Sequence, residues 1–143
     1  NSGSIAMGTV TANSIETISI NSDDTLPVGV VGGALSTHTM TLTSDAVKTL
    51  TVTGDAKLTL INTSTTLTSV DFSANTKGVT WVAIGAIAGN ATITGSAGAD
   101  NFGGGANGNT ASNSAIAGKS LTMDGGLGQD TLYGGAGADT ITD

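Results

Sequence analysis

Apolar and polar residues alternate with a period of two along much of this chain. In most runs a threonine or serine takes every second position and a large apolar residue takes the next, while Gly, Asn, Ser and Asp separate the runs. Such alternation predicts short β-strands with one buried face, a surface that threonine and valine favour. The predicted strands cover residues 15–20, 39–43, 49–53, 57–61, 67–72, 78–82, 90–94 and 121–123.

The strands recur at a regular spacing. One large apolar residue appears about every ten residues, at Leu42, Val52, Leu60, Val70, Trp81, Ile93 and Phe102. Short strands at regular intervals with turn signals between them argue for an all-β fold, either a β-sandwich or a parallel β-solenoid. Residues 1–14 are too irregular to assign, and residues 83–88 are too short and glycine-interrupted for a helix.

Composition favours a thin structure. The chain has 143 residues, only 10% of them charged and 3% aromatic, so each layer buries a few aliphatic side chains rather than a thick core. The net charge of −7 argues against nucleic acid and anionic membranes as partners. Cysteine is absent and no apolar run reaches transmembrane length. We expect a piece of a longer extracellular protein.

A glycine-rich nonapeptide organises the end of the chain. Residues 125–142 read twice as Gly-Gly-x-Gly-x-Asp-x-U-x, where U is a large apolar residue, with Asp130 and Asp139 in the acid position. Residues 95–103 are a third copy, in which Ser96 replaces the second glycine. A degenerate fourth copy begins at residue 104 and carries Asn109 where the acid belongs. The same strand register runs into these copies, which favours the parallel β-solenoid over the sandwich.

The spacing suits calcium, which takes about six to eight oxygen ligands from carboxylates and carbonyls. Glycines let a loop turn several carbonyls inward without steric cost, and aspartates supply charge. Asp124 and Asp143 flank the repeats and could complete the shell of an ion. The candidate metal-binding residues are Gly95, Ala97, Asp100, Gly104, Asn109, Asp124, Gly125, Leu127, Asp130, Gly134, Ala136, Asp139 and Asp143.

Two nonapeptides are expected to make one turn, so an ion would lie between one loop and the loop two repeats on. If residues 110–120 form an inserted loop, Asp100 stacks with Asp130, and Asn109 stacks with Asp139. Asp130 and Asp139 then lie on opposite edges and share no ion.

Each motif also has a simpler interpretation. A flexible linker explains glycine but not the fixed acid and apolar positions. The G-x-G-x-x-G match at 103–108 lacks a preceding strand and a following helix, so phosphate binding is rejected. His38 is expected on a solvated strand edge, and a Ser-His-Asp site is not indicated. Asp45, Asp55 and Asp71 are expected to cap turns, with an accessory calcium site as the alternative.

The nonapeptide repeats resemble those of RTX proteins, which bind calcium. Residues 15–20, 47–60 and 67–74 look like the β-rich region of RTX-type bacterial surface-layer proteins. The resemblance implies a non-enzymatic structural protein, secreted by a type I system and located at the cell surface. It also implies calcium-dependent self-assembly into a lattice, with anchoring to lipopolysaccharide through another region. Residues 1–94 would be a strand-rich solenoid and 95–143 an RTX β-roll, within one continuous domain.

Two other functions share the calcium chemistry. The chain could be the export and folding module of a secreted RTX hydrolase, which requires a catalytic domain elsewhere. It could also be a stalk segment of a biofilm adhesin, which requires similar repeats on both sides.

Overall fold

The computed structural model describes residues 4–24, 36–83, 90–103, 120–134 and 138–143. These residues form twelve strands and no helix, so this part of the chain holds no helix that could cross a membrane. The strands are β1 (Ser4–Thr11), β2 (Thr17–Asn21), β3 (Thr37–Thr43), β4 (Thr49–Gly54), β5 (Lys57–Asn62), β6 (Ser69–Asn75), β7 (Val79–Ala83), β8 (Ala91–Thr94), β9 (Asn101–Phe102), β10 (Leu121–Asp124), β11 (Thr131–Leu132) and β12 (Thr140–Thr142).

The strands form two parallel six-stranded sheets. Sheet A has the order β1-β3-β5-β7-β9-β11, and sheet B has the order β12-β10-β8-β6-β4-β2. Each successive strand therefore lies in the other sheet, next to the strand two positions earlier. Every pairing in the described residues is parallel. A β-sandwich of antiparallel strands is thereby excluded for this part of the chain.

The core lies between the sheets and follows from the alternation. In β3, for example, His38, Met40 and Leu42 are buried, while the threonines between them are partly exposed. Trp81, Phe72 and Phe102 are the largest fully buried side chains, and their rings meet edge-on or tilted at centroid distances of 5.3–6.5 Å. The inward residues of successive strands thus stack into one continuous apolar cluster.

Strand β1 was not predicted, and a bulge explains why. Its pairing with β3 shifts register between Ala6 and Gly8, which leaves Met7 out of the alternation. Gly8 has a φ of 75°, a conformation that glycine adopts without the penalty of a side chain. The other predicted strands are present with boundaries moved by one to three residues, as in Ser69–Asn75 for the predicted 67–72.

Aspartates fix the turns between the strands. Asp45 Oδ1 accepts a hydrogen bond from Ser14 N at 2.7 Å, and Asp55 Oδ1 accepts one from Asp24 N at 2.8 Å, in each case from the turn one layer earlier. Asp71 Oδ1 accepts bonds from the backbone and hydroxyl of its neighbour Ser73. These contacts confirm the prediction of turn capping for Asp45 and Asp55. The prediction was wrong for Asp71, which lies within β6 at the point where the register with β4 shifts.

The expectation for His38 was wrong. His38 is 6% exposed and points from β3 into the core between the sheets, where its Nδ1 is hydrogen-bonded to Ser22 Oγ at 2.9 Å. Side chains alternate between the two faces of β3, and His38 lies on the same inward face as Met40 and Leu42. Ser22, itself fully buried, supplies the polar partner that a buried imidazole requires.

Candidate metal-binding edge

Two glycine loops stack on one edge of the sheets. The loop at 95–100 runs from β8 to β9 and the loop at 125–130 runs from β10 to β11, so both cross from sheet B to sheet A. Backbone hydrogen bonds join them, from Gly95 N to Asp124 O at 2.7 Å and from Leu127 N to Ser96 O at 3.0 Å. We call this pair the glycine-loop edge. Asp139 lies on the other edge, where the chain crosses from β11 back to β12.

Asp100 and Asp130 occupy equivalent places in the two loops. Strands β9 and β11 pair Asn101 with Thr131, so the aspartates that precede them are adjacent. Asp130 Oδ1 accepts a hydrogen bond from Asp100 N at 2.8 Å. The two carboxylates therefore stack along the edge, which is the arrangement predicted for an inserted loop at 110–120.

One carboxylate oxygen at this edge is buried without a partner. Asp130 Oδ2 has no hydrogen bond among the described residues. A Cβ placed on Gly125 would lie 2.7 Å from Asp130 Oδ2 and 3.2 Å from Asp143 Oδ1, so both side chains converge on the same glycine. Because burying an unpaired polar atom is costly, this carboxylate oxygen is a candidate acceptor for a hydrogen-bond donor or a ligand for a cation.

Glycines make this convergence sterically possible. A Cβ on Gly95 would overlap the carbonyl oxygen of Gly125, and one on Gly126 would overlap that of Ser96. Gly126 also has a φ of 87°, in the left-handed region. The same holds on the opposite edge, where a Cβ on Gly134 would overlap Asp139 Oδ2. Of the glycines predicted as metal-site residues, Gly95, Gly125 and Gly134 thus leave no room for a side chain.

Asp100 is the most enclosed acid of the glycine-loop edge. It is 2% exposed. Its carboxylate accepts hydrogen bonds from Val79 N at 2.6 Å, Ser96 N at 2.6 Å and Ser96 Oγ at 2.8 Å. Burial nevertheless raises the pKa of Asp100 above its ordinary value, and the neighbouring Asp130 charge adds to the increase. Two neighbouring acids thus lie at this edge, and burial disfavours the negative charge on Asp100.

No described ion pair offsets this charge. The one salt bridge that the structure describes joins Lys48 and Glu16, in turns that follow β3 and β1 on the opposite edge. The hydrogen bond from Lys48 to Glu16 is the main cause that lowers the pKa of Glu16, and the positive charge of Lys48 lowers it further. The acids of the glycine-loop edge lie outside this pair.

The remaining predicted residues take several positions. Asp124 Oδ1 accepts a hydrogen bond from Gly126 N at 3.1 Å, and Ala97 N donates to Asn75 O. The side chain of Leu127 is exposed. Asp139 Oδ1 accepts a bond from Leu121 N at 2.9 Å. Gly104, Asn109 and Ala136 lie outside the described residues.

Sequence reasoning treated Ser96 only as a gap in the glycine pattern. The structure shows instead that it donates two hydrogen bonds to Asp100 and is 3% exposed. The available signal was the position itself: a hydroxyl residue four places before an acid in a tight loop is well placed to bond to that acid.

The donor set of this edge suits a hard cation. Side-chain oxygens of Asp130 and Asp143 approach the same glycine there, and carboxylate oxygens are among the ligands that calcium prefers. Within the described ranges, no cluster of three or more His, Cys, Asp or Glu side chains could hold a metal ion without other ligands. Any ion would thus depend on backbone carbonyls as well as on Asp130 and Asp143. Comparison with protein-family models, curated proteins and solved structures gave no match to this chain.

Proposed function

We propose that this chain is a calcium-dependent structural module, a β-solenoid whose glycine repeats bind Ca²⁺ along its edges. The buried, unpartnered Oδ2 of Asp130, which faces the same glycine as Asp143, carries the proposal. The two carboxylates and the carbonyls of their loops would hold the ion. Calcium supplies the positive charge that the described side chains do not.

The proposed ion acts on folding. Without it, the stacked carboxylates repel, and glycine-rich loops lose much conformational entropy when they become ordered. Extracellular calcium modules bind with dissociation constants of roughly 10⁻⁴–10⁻³ M. Such sites are filled outside a cell and empty in a bacterial cytoplasm, so the glycine repeats would become ordered after export.

The resemblance to RTX-type surface-layer proteins extends the proposal to a secreted component of a bacterial surface layer that associates with copies of itself. One observation supports self-association. All the exposed large hydrophobic side chains in the described residues lie towards the two ends of the sheets: Ile5, Met7, Val10 and Ile15 near β1 and β2, and Leu127 and Ile141 near β11 and β12. Edge strands with exposed apolar residues are prone to pair with another chain.

A calcium titration tests the proposal. Far-UV circular dichroism, Trp81 fluorescence and sedimentation velocity would be followed from excess chelator to about 10 mM calcium, above the range of typical extracellular sites, with magnesium as control. We expect sheet signal and large species to increase with calcium only. Trp81 is fully buried against Phe102 of the first glycine repeat, so its fluorescence shows whether an effect of calcium on the repeats extends to the long strands.

The other outcomes are distinct. A chain that calcium orders but leaves monomeric would favour the export and folding module of a secreted hydrolase over a surface-layer component. A chain with the same dichroism, fluorescence and sedimentation in chelator and in calcium would overturn the calcium-dependent module.

A further inference from the structure

The two loops of the glycine-loop edge follow one sequence pattern but satisfy their aspartates differently. Aligned residue by residue, Ser96 corresponds to Gly126 and Asp100 corresponds to Asp130. In the first loop, Ser96 N donates to the carboxylate of Asp100 at 2.6 Å. In the second loop, Gly126 N donates to Asp124 Oδ1 at 3.1 Å. Ser96, in the place of Gly126, therefore coincides with a different set of hydrogen bonds around the aspartate of its loop.

Ser96 completes the surroundings of Asp100. Its Oγ accepts a hydrogen bond from Gly98 N at 3.1 Å and donates one to Asp100 Oδ1 at 2.8 Å. With Val79 N, the carboxylate of Asp100 accepts three hydrogen bonds, out of about four lone-pair positions. Asp130 accepts one, from Asp100 N, among the described residues. A cation at Asp100 would have to displace donors, whereas a cation at Asp130 would meet a free oxygen.

We propose that Ser96 takes the place of a calcium ion in the first glycine loop, so that the loop at 95–100 closes without metal and calcium on this edge binds at Asp130. This inference rests on the calcium binding proposed above. Ser96 would thereby limit the number of ions that the chain binds. Its hydroxyl and backbone N–H direct positive dipoles at Asp100, whereas Asp130 in the loop at 125–130 would be neutralised by a cation.

The number of calcium ions bound per chain tests this. Equilibrium dialysis at saturating calcium would compare the wild type with Ser96→Gly and with Ala99→Gly. Ala99→Gly adds the same flexibility to the same loop, but Ala99 is exposed and its methyl group makes no hydrogen bond. We expect Ser96→Gly to bind one more ion per chain than the wild type, because it removes the hydroxyl that bonds to Asp100 Oδ1, and Ala99→Gly to bind the wild-type number. An unchanged number in Ser96→Gly would overturn the inference.

Substitution of the acids gives an independent answer. Asp130→Asn is expected to lose one ion, and Asp100→Asn to lose none. If Asp100→Asn also loses an ion, Asp100 is a ligand and the inference is wrong. If circular dichroism shows that these variants do not fold, ¹³C spectra of aspartate-labelled wild type decide: calcium should move the carboxylate signal of Asp130 and leave that of Asp100. A wild type that binds no calcium would instead overturn the proposed function itself.

Discussion

Strands β3–β7 and strands β8–β12 share one architecture, but they differ in strand length, and the turn that follows β6 differs from the turns that follow β8 and β10. The first group has strands of five to seven residues, and the second has strands of two to four. In the first group the turn at 75–78 is closed by a neutral amide: the fully buried Asn75 donates to Ala56 O and accepts from Lys77 N and Gly78 N. In the second, the equivalent turns are closed by glycines around carboxylates.

This difference separates two sources of stability. The long strands bury Leu50, Leu58 and Leu60 completely, and each fully buried side chain of this size contributes about 1.5–3 kcal/mol of transfer free energy. Among the short strands, Ile93, Phe102 and Leu121 are still buried, whereas Ile141 of β12 is 46% exposed. The end layer therefore combines little apolar burial with the unpartnered carboxylate oxygen of Asp130, and its stabilisation is the role proposed for calcium.

The largest effect is expected from the core of the long strands. Leu60→Ala removes a fully buried side chain that pairs with Met40 and Trp81 across the sheet. We expect unfolding free energy to fall by about 2–5 kcal/mol, equally in calcium and in chelator, as measured by urea denaturation. Thr59→Ala, on the outward face of the same strand, is the control and should change it by less than about 1 kcal/mol. If calcium restored the free energy of unfolding that Leu60→Ala loses, the two regions would have to unfold as one cooperative metal-dependent unit.

Calcium itself should act mainly on the glycine repeats. At about 10 mM calcium, dissociation constants of 10⁻⁴–10⁻³ M correspond to about 1.4–2.7 kcal/mol per ion. Amide hydrogen exchange read by mass spectrometry should show that chelator removes protection from residues 121–143 and leaves residues 37–83 protected.

A matched pair of acids sharpens this experiment. Asp55 and Asp130 each accept a hydrogen bond of 2.8 Å from a backbone N–H of the preceding turn. Asp130→Asn should abolish the calcium-induced protection of residues 121–143, whereas Asp55→Asn should preserve it. Equal losses in both variants would mean that aspartates act in this chain only as turn caps.

Sequence patterns were sufficient for the long strands and insufficient for the ends. Alternation located β3–β8 because each inward Leu, Val or Trp meets another inward residue in the neighbouring strands. Strand β1 escaped detection because the bulge at Gly8 interrupts its period and its side chains are exposed. His38 was predicted to be exposed because histidine is polar, although its position two and four residues before Met40 and Leu42 places it on the inward face of β3.

The candidate site was predictable only in outline. The nonapeptide period, together with an inserted loop at 110–120, placed Asp100 beside Asp130, because the repeat length sets which residues stack. It could not show that Asp100 is saturated by Ser96 and Val79 or that Asp130 Oδ2 is buried without a partner. These facts depend on backbone positions in three different layers, which no local pattern encodes.

The smallest effect is a pH dependence at the other end of the molecule. Asp24 Oδ2 accepts hydrogen bonds from the backbone and hydroxyl of Ser36, and these bonds lower the pKa of Asp24 below the ordinary aspartate value of 3.8. A depressed folded pKa contributes stability above that value, which is lost as pH falls through it. In chelator, the urea midpoint should therefore drop less steeply between about pH 5 and 3 in Asp24→Asn than in the wild type. Asp23→Asn, which removes the neighbouring acid bonded to Asn21, should retain the wild-type slope. If Asp23→Asn flattens the slope as much as Asp24→Asn does, the effect comes from net charge in this turn and not from the bonds of Ser36.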